Sequence, residues 1–448
     1  MRLGISLVLG CWSLGFSSDW PNFLGPHHNG ISDETNLLSN WPTNGPPLLW
    51  QRPIGTGYSA PSVSGDRLVV HHREGEEEIV QCLDARTGAS IWRYRYPSHF
   101  IDPYGYNNGP RSTPLLASGR CYTLGAEGKL VCLDLQTGNR VWARDTAAEW
   151  DIPPAFFGVG SSPILENGLL VVMVGGQPNS GVVALQPDTG KTVWASVGRT
   201  NWEGQTEIGW GGEPKVEWNV QDKQASYSTP VAATIHDQRH LLCFMRQGLV
   251  SLNPTNGIVN FSYWFRSKVD ESVNAIDPVV LDDTILLSAA YYKIGSVLLR
   301  AKPNGKGVDP LWRLPVLEIH WTTPILHEGF LYAFSGRNEP DAHFRCVEMK
   351  TGKLMWDRDE SWRPHSTPTP PVYGRGSAIL AEGKLIVLGE GGLLGLFELN
   401  PREAREISRF QVPQLHYPCW AAPVLSDSRL YLRSEDRLVC FDLGRKNK

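Results

Sequence analysis

The sequence predicts an all-β fold, an eight-bladed β-propeller of four-stranded antiparallel blades. Three observations predict it: a phrase that recurs along the chain, a second phrase at a set distance ahead of it, and strand-like alternation between the two. The first phrase, Leu-Asp-x-x-Thr-Gly-x-x-x-Trp, is clearest at Leu83-Asp84-Ala85-Arg86-Thr87-Gly88 with Trp92, and at Leu133-Asp134-Leu135-Gln136-Thr137-Gly138 with Trp142. Weaker copies run from Leu185 to Trp194, Leu252 to Phe261, Ala301 to Trp312, Val347 to Trp356 and Leu399 to Ile407, and a partial one is Cys440-Phe441-Asp442-Leu443.

The second phrase is polar-small-Pro and opens an apolar strand: Ser59-Ala60-Pro61, Ser112-Thr113-Pro114, Ser161-Ser162-Pro163, Ser228-Thr229-Pro230, Ile276-Asp277-Pro278, Thr322-Thr323-Pro324 and Ala421-Ala422-Pro423, with Gly376-Ser377-Ala378 departing from it. Two further alternating runs lie between the phrases, as in Arg120 to Leu124 and Lys129 to Leu133, joined by Gly125-Ala126-Glu127-Gly128. Such a pair reads as a hairpin. One repeat is therefore a sheet of strands A to D, with Thr-Gly at the C–D turn and the aromatic residue on D. A sheet of this size cannot bury both faces alone, and radial stacking solves that. The eighth blade needs an outer strand from the other end of the chain, and Pro47-Leu48-Leu49-Trp50-Gln51-Arg52 supplies it, with Trp50 as that blade's aromatic. Head-to-tail closure removes exposed strand edges. Residues 47–443 form one domain on this reading, followed by a short tail at 444–448. The repeated Trp residues are wedges between blades.

Before the propeller, Met1-Arg2, the apolar run Leu3 to Phe16 and Ser17-Ser18 have the layout of a secretory signal peptide, expected over residues 1–18. The run is too short for a spanning helix. Cys11 after Val8-Leu9-Gly10 loosely matches a lipoprotein attachment site, the alternative to simple export. The expected location is periplasmic or secreted. Residues 19–46, rich in Pro, Asn and Gly, are expected to lie across a propeller face as irregular chain, and whether they plug the central channel stays open. Folding the hairpin about Ala126 and Glu127 sets Cys121 opposite Cys132, so an oxidising compartment leaves two options there, a cross-strand disulfide or two buried thiols. Cys82, Cys132, Cys346 and Cys440 share one place on strand C and read as small buried hydrophobes.

Tryptophan-bearing blades with the Thr-Gly turn resemble the pyrroloquinoline-quinone-like repeat, over nearly the whole mature chain. Two branches of that superfamily bear on function. One, the quinoprotein alcohol dehydrogenases, implies a quinone and a calcium ion on the propeller axis. The other, similar to the outer-membrane assembly factor BamB, implies a non-catalytic propeller. The dehydrogenases carry two adjacent cysteines beside the quinone, and this chain has no consecutive Cys, no Asp-x-Asp-x-Asp-Gly loop and no Cys-x-x-Cys-His haem attachment. The resemblance therefore implies a monomeric binding or scaffolding module for an envelope protein or a small polar ligand, with no cofactor and no metal. The alternative is a dehydrogenase of alcohols or sugars using the quinone with calcium. A net charge of −4 without a basic cluster argues against nucleic acid.

Strand order places the D–A connections and B–C hairpins together at one face, here called the top. Residues just ahead of strand A point toward the channel: Arg111, Tyr227, Asn274, Trp321, Arg375 and Trp420. The hairpins add Glu127, Arg337, Glu339 and Glu390. Arginine, glutamate and aromatics converging on one mouth are the expected binding site for a ligand or partner. The longest insertion carries Trp202, Trp210 and Trp218, spaced by eight, which either grip a carbohydrate or a partner's apolar segment or fold down as a cap.

Overall fold

The computed structural model describes residues 19–176, 181–196, 223–267, 272–364, 366 and 370–445. The expected leader with Cys11, and Trp202, Trp210 and Trp218, lie outside the described residues. Eight four-stranded antiparallel sheets are present, and the sheet of blade 7 gains a fifth, parallel strand, Ile31–Ser32. Blade 1 shows the pattern: A is Ser62–Ser64, B Arg67–Glu74, C Glu77–Asp84 and D Ser90–Pro97. In the last blade Leu48–Pro53 pairs antiparallel with Arg437–Asp442, and Trp50 stands opposite Cys440 as Trp92 stands opposite Cys82. The ring is closed by the two ends of the chain.

The recurring phrases have physical reasons. At the C–D turn, Asp134 Oδ1 accepts from the backbone N–H of Gln136 and Thr137 and from the Thr137 hydroxyl at 2.9–3.2 Å, and the hydrogen bonds from Thr137 hold the carboxyl below the usual carboxylate range. Gly138 follows at φ +74°, and a Cβ there would sit 2.6 Å from the Trp92 ring of the preceding blade. Trp92 Nε1 then donates to the Leu135 carbonyl at 3.0 Å. The same bond joins Trp50 to Ala85, Trp142 to Pro187, Trp194 to Pro254, Trp312 to Met349 and Trp356 to Asn400. Glycine is needed because the indole of one blade lies flat on the turn of the next.

The polar-small-Pro phrase builds a belt along the channel from blade 2 to blade 6. Thr113 N donates to Ser162 Oγ at 2.9 Å, Ser162 N to Thr229 Oγ1 at 3.2 Å, Thr229 N to Asp277 Oδ1 at 2.7 Å and Asp277 N to Thr323 Oγ1 at 3.0 Å. From blade 2 to blade 6 each inner strand is thus tied to the next by a short side chain, and the following Pro, which has no N–H to donate, opens the strand. Asp277 is the exception in chemistry: burial pushes its carboxyl up to about 8.

The N-terminal segment crosses the bottom of the ring. Trp20 exchanges backbone bonds with Val63 of blade 1, Leu116 N of blade 2 donates to Pro21 O at 2.7 Å, and Leu380 N of blade 7 donates to Gly30 O at 2.8 Å. The chain then fills the junction of blades 7 and 8, where Ile407 stands in place of the usual Trp. Trp41 is buried there, its backbone N–H donating to Ser408 Oγ at 2.9 Å, and Leu38 N donates to Leu443 O. An imported tryptophan thus occupies a junction that lacks its own.

One expectation is corrected. Cys121 pairs with Leu133, and Cys132 pairs with Tyr122. This offset of one residue sends the two thiols to opposite faces of the sheet, so Cys121 packs in the core between blades 1 and 2 and Cys132 in the core toward blade 3. Both are free, buried cysteines.

Candidate functional site

The position immediately before the second phrase is the innermost top-facing position of every blade, and strand geometry aims it into the channel. Reading that register gives Tyr58, Arg111, Gly160, Tyr227, Ala275, Trp321, Arg375 and Trp420, and all of them line one cavity of about 190 Å³ on the propeller axis. Ala60, Thr113, Ser162, Thr229 and Ala422 form its throat, and Phe23 of the N-terminal segment lies at its bottom. With residues 20–31 laid beneath it, the channel is a funnel entered from the top.

Aromatic rings dominate the wall. Trp321 and Trp420 lie 5.2 Å apart by centroids, Trp420 meets Tyr58 at 4.9 Å and Tyr106 at 5.4 Å, and Phe157 meets Tyr106 at 6.0 Å and Tyr227 at 5.9 Å. These tilted and edge-on contacts are the favoured geometry for ring quadrupoles. Tyr104, about half exposed, continues the array outward against Phe156 and Phe157.

The two arginines of the wall are already committed. Arg375 Nε and Nη2 bind the two oxygens of Glu390 at 3.2 and 2.8 Å, Nη2 also meets Glu339, and Nη1 donates to the Arg337 carbonyl at 2.5 Å and faces His320 Nδ1 at 3.2 Å. Its guanidinium lies 4.4 Å from the Trp321 ring centre. Arg111 bonds Asp102 at 2.8 Å, the Asn107 carbonyl at 2.7 Å and the Gly109 carbonyl, and stacks between Tyr58 and Phe100. Burial, with Arg375 alongside, holds His320 well below the usual imidazole range, so its ring is neutral.

Of the expected site residues, Arg111, Tyr227, Trp321, Arg375 and Trp420 come together in the cavity wall. Glu390 and Glu339 lie behind it: Glu390 is fully buried, holding Arg375 and accepting from Trp420 Nε1 at 2.7 Å, and Glu339 accepts from the Tyr417 hydroxyl at 2.9 Å. Arg337 stands outside, over Tyr291 and Tyr292. Two residues are elsewhere. Glu127 accepts from His99 N at 2.8 Å and anchors the loop after blade 1. Asn274 is buried, its amide donating to the carbonyls of Met245, Arg246 and Phe265, and the wall position belongs to Ala275. That is a slip of one residue, which reverses side-chain direction in extended chain. Strict register would have found Ala275 and Tyr58. Phe23, Tyr106, Phe157 and His320 carry no such signal, because long connections deliver them.

The chain is similar to two kinds of known protein. The family model described as outer membrane protein assembly factor BamB matches residues 41–211. Quinohemoprotein alcohol dehydrogenase ADH-IIG of Pseudomonas putida is 29% identical over 27% of this chain, and BamB of Moranella endobia is 24% identical over 31%. These matches span only 17% and 31% of the relatives' own lengths. The solved BamB of Moraxella catarrhalis superposes with a TM-score of 0.58 at 13% identity, covering 90% of this chain and 98% of that one. Quinohemoprotein alcohol dehydrogenase of Comamonas testosteroni gives 0.63 at 14% identity, covering 96% and 81%. Repeats, family model and fold agree: the chain is a β-propeller of the pyrroloquinoline-quinone-like repeat type, similar to BamB and to the quinoprotein alcohol dehydrogenases.

Proposed function

We propose that this chain is an exported, non-catalytic binding module of the cell envelope, which receives a ligand or a segment of a partner protein in the funnel at its top face. The observation that carries this reading is the state of the wall. Its arginines are tied to carboxylates behind it, the His320 ring has both nitrogens engaged, by the Arg337 carbonyl and the Tyr291 hydroxyl, with its basicity lowered by burial, and its Ser162 and Thr229 hydroxyls already accept in the belt. Among the described residues no carboxylate stands free in the wall as a general base.

The dehydrogenase alternative requires a wall that fits calcium and a tricarboxylate quinone. Calcium is held by carboxylate and carbonyl oxygens, and among the described residues the lining includes no Asp, Glu, Asn or Gln. Among the described residues no group of three His, Cys, Asp or Glu could hold a metal ion. Cys419, next to Trp420, has no cysteine neighbour in sequence. The quinone's carboxylates would need free cationic donors, and Arg375 has all of its nitrogens committed and Arg111 both terminal ones, its Nε being buried. An envelope setting is supported by the match to a factor named for outer-membrane protein assembly. Among the described residues no helix is long and apolar enough to cross a membrane.

The test is reconstitution of the purified chain with pyrroloquinoline quinone and calcium, followed by dye reduction with alcohols and sugars. The expected result is no turnover above the cofactor alone. Turnover that saturates with substrate overturns the proposal in favour of the dehydrogenase.

A further inference from the structure

We infer that the funnel selects an uncharged, ring-bearing group, such as a neutral aromatic side chain on a partner segment, and rejects anions and cations alike. This deepens the proposed binding role and rests on it. The mouth is rich in arginine and glutamate in sequence, which suggests a polar or charged ligand, and the geometry points the other way.

An anionic ligand would need donors. Arg375 has every nitrogen engaged, by Glu390, Glu339, the Arg337 carbonyl and His320. Its side chain is only 7% exposed and that of Glu390 not at all. Arg111 spends both terminal nitrogens on Asp102, Asn107 and Gly109. An anion entering the funnel would therefore lose water without gaining a partner, which is costly. A cationic ligand would need open π-faces or carboxylates. Among the described residues no carboxylate lines the cavity, and the protein's own guanidinium groups already lie over Trp321, Trp420 and Tyr58. A sugar needs dense, directional hydrogen bonding, yet among the described residues the wall contains no side-chain amide or acid, and the Ser162 and Thr229 hydroxyl oxygens each already accept a belt bond in the narrow throat.

What remains available is mostly ring surface, together with the Trp321 indole N–H, which is buried without a partner. Tyr106, 45% exposed, stands at the entrance between Trp420 and Phe157, Tyr227 lines the wall next to Phe157, and Phe23 lies at the bottom. A planar neutral group entering from the top meets ring edges and faces on several sides, the arrangement aromatic pairs prefer. Burying it asks for no counter-charge.

The experiment is calorimetric titration of the full mature chain with three matched probes, N-acetyl-L-tyrosinamide, N-acetyl-L-tyrosine and tyramine, which are neutral, anionic and cationic at pH 7, with glucose as a fourth. The neutral probe should bind about tenfold more tightly than either charged one, since each charged one buries an unpaired charge. Its affinity should not change between low and high salt. Trp420→Ala and, on the exposed loop where folding is not at risk, Tyr106→Ala should each weaken it several-fold. Equal or tighter binding of the anion, the cation or glucose overturns the inference, as does neutral binding unaffected by both substitutions, or no binding of any probe. Those outcomes leave the non-catalytic reading standing, because only quinone-dependent turnover removes that.

Discussion

Asp277 offers a sharp test of the belt, because it alone brings a titratable group to a job that Ser162, Thr229 and Thr323 do with hydroxyls. It is 2% exposed, and its Oδ1 accepts from Thr229 N at 2.7 Å. Burial raises its pKa to about 8, against an ordinary value of 3.8. The folded protein therefore holds a proton that the unfolded chain releases above about pH 4. For a group raised in this way, the stabilising contribution is full below the unfolded pKa and is lost as pH rises through the folded one. The slope is about 1.4 kcal/mol per pH unit, so moving from pH 5 to pH 8 should cost about 4 kcal/mol from this group alone. Asp277→Asn keeps an oxygen acceptor for Thr229 and cannot ionise. Urea unfolding of both proteins at pH 5, 6, 7 and 8 isolates the effect, since all other groups titrate in both. Wild type should lose stability relative to the variant across that range. Parallel curves would refute the reasoning and mean that the Asp277 carboxyl is solvated or ionised in the fold.

Other consequences follow from the same geometry. Trp142→Phe removes the Nε1 bond to Pro187 and should cost about 1 kcal/mol, and Trp142→Ala about 3–5 kcal/mol, read as a shift of the urea midpoint. Trp41→Ala should cost about 3 kcal/mol by opening the junction of blades 7 and 8, and an unchanged midpoint would mean that Ile407 suffices there. Glu390→Gln leaves Arg375 with less compensating charge inside the wall and should cost about 2–3 kcal/mol by the same assay.

Much of the fold is legible in the sequence because its determinants are local and repeated. The Asp, Thr and Gly of each C–D turn act within a few residues of one another, and the tryptophan bonds a carbonyl at the same offset in the next copy. Ring closure is readable because Trp50 supplies the wedge that the last copy lacks. What escapes the sequence depends on non-local placement. Trp41 looks like one more tryptophan in an irregular segment until Ile407 is seen as a vacancy in the wedge series. Phe23 reaches the cavity only because residues 20–31 cross the bottom of the ring. The site is half legible: the pre-strand register finds the wall, and one slipped residue, Asn274 for Ala275, shows how narrow that signal is. The charge state of the mouth is not legible, because sequence lists Arg375, Glu339 and Glu390 without revealing that they satisfy one another.

A crystal structure of the protein grown with N-acetyl-L-tyrosinamide tests the central claim most directly, since it examines the bottom of the funnel and its occupant together. The account predicts the probe's ring among Trp321, Trp420 and Tyr106, with Phe23 beneath it and Arg375 still bound to Glu390. A channel open through to the Phe23 side, or a probe seated anywhere else on the propeller, would contradict it.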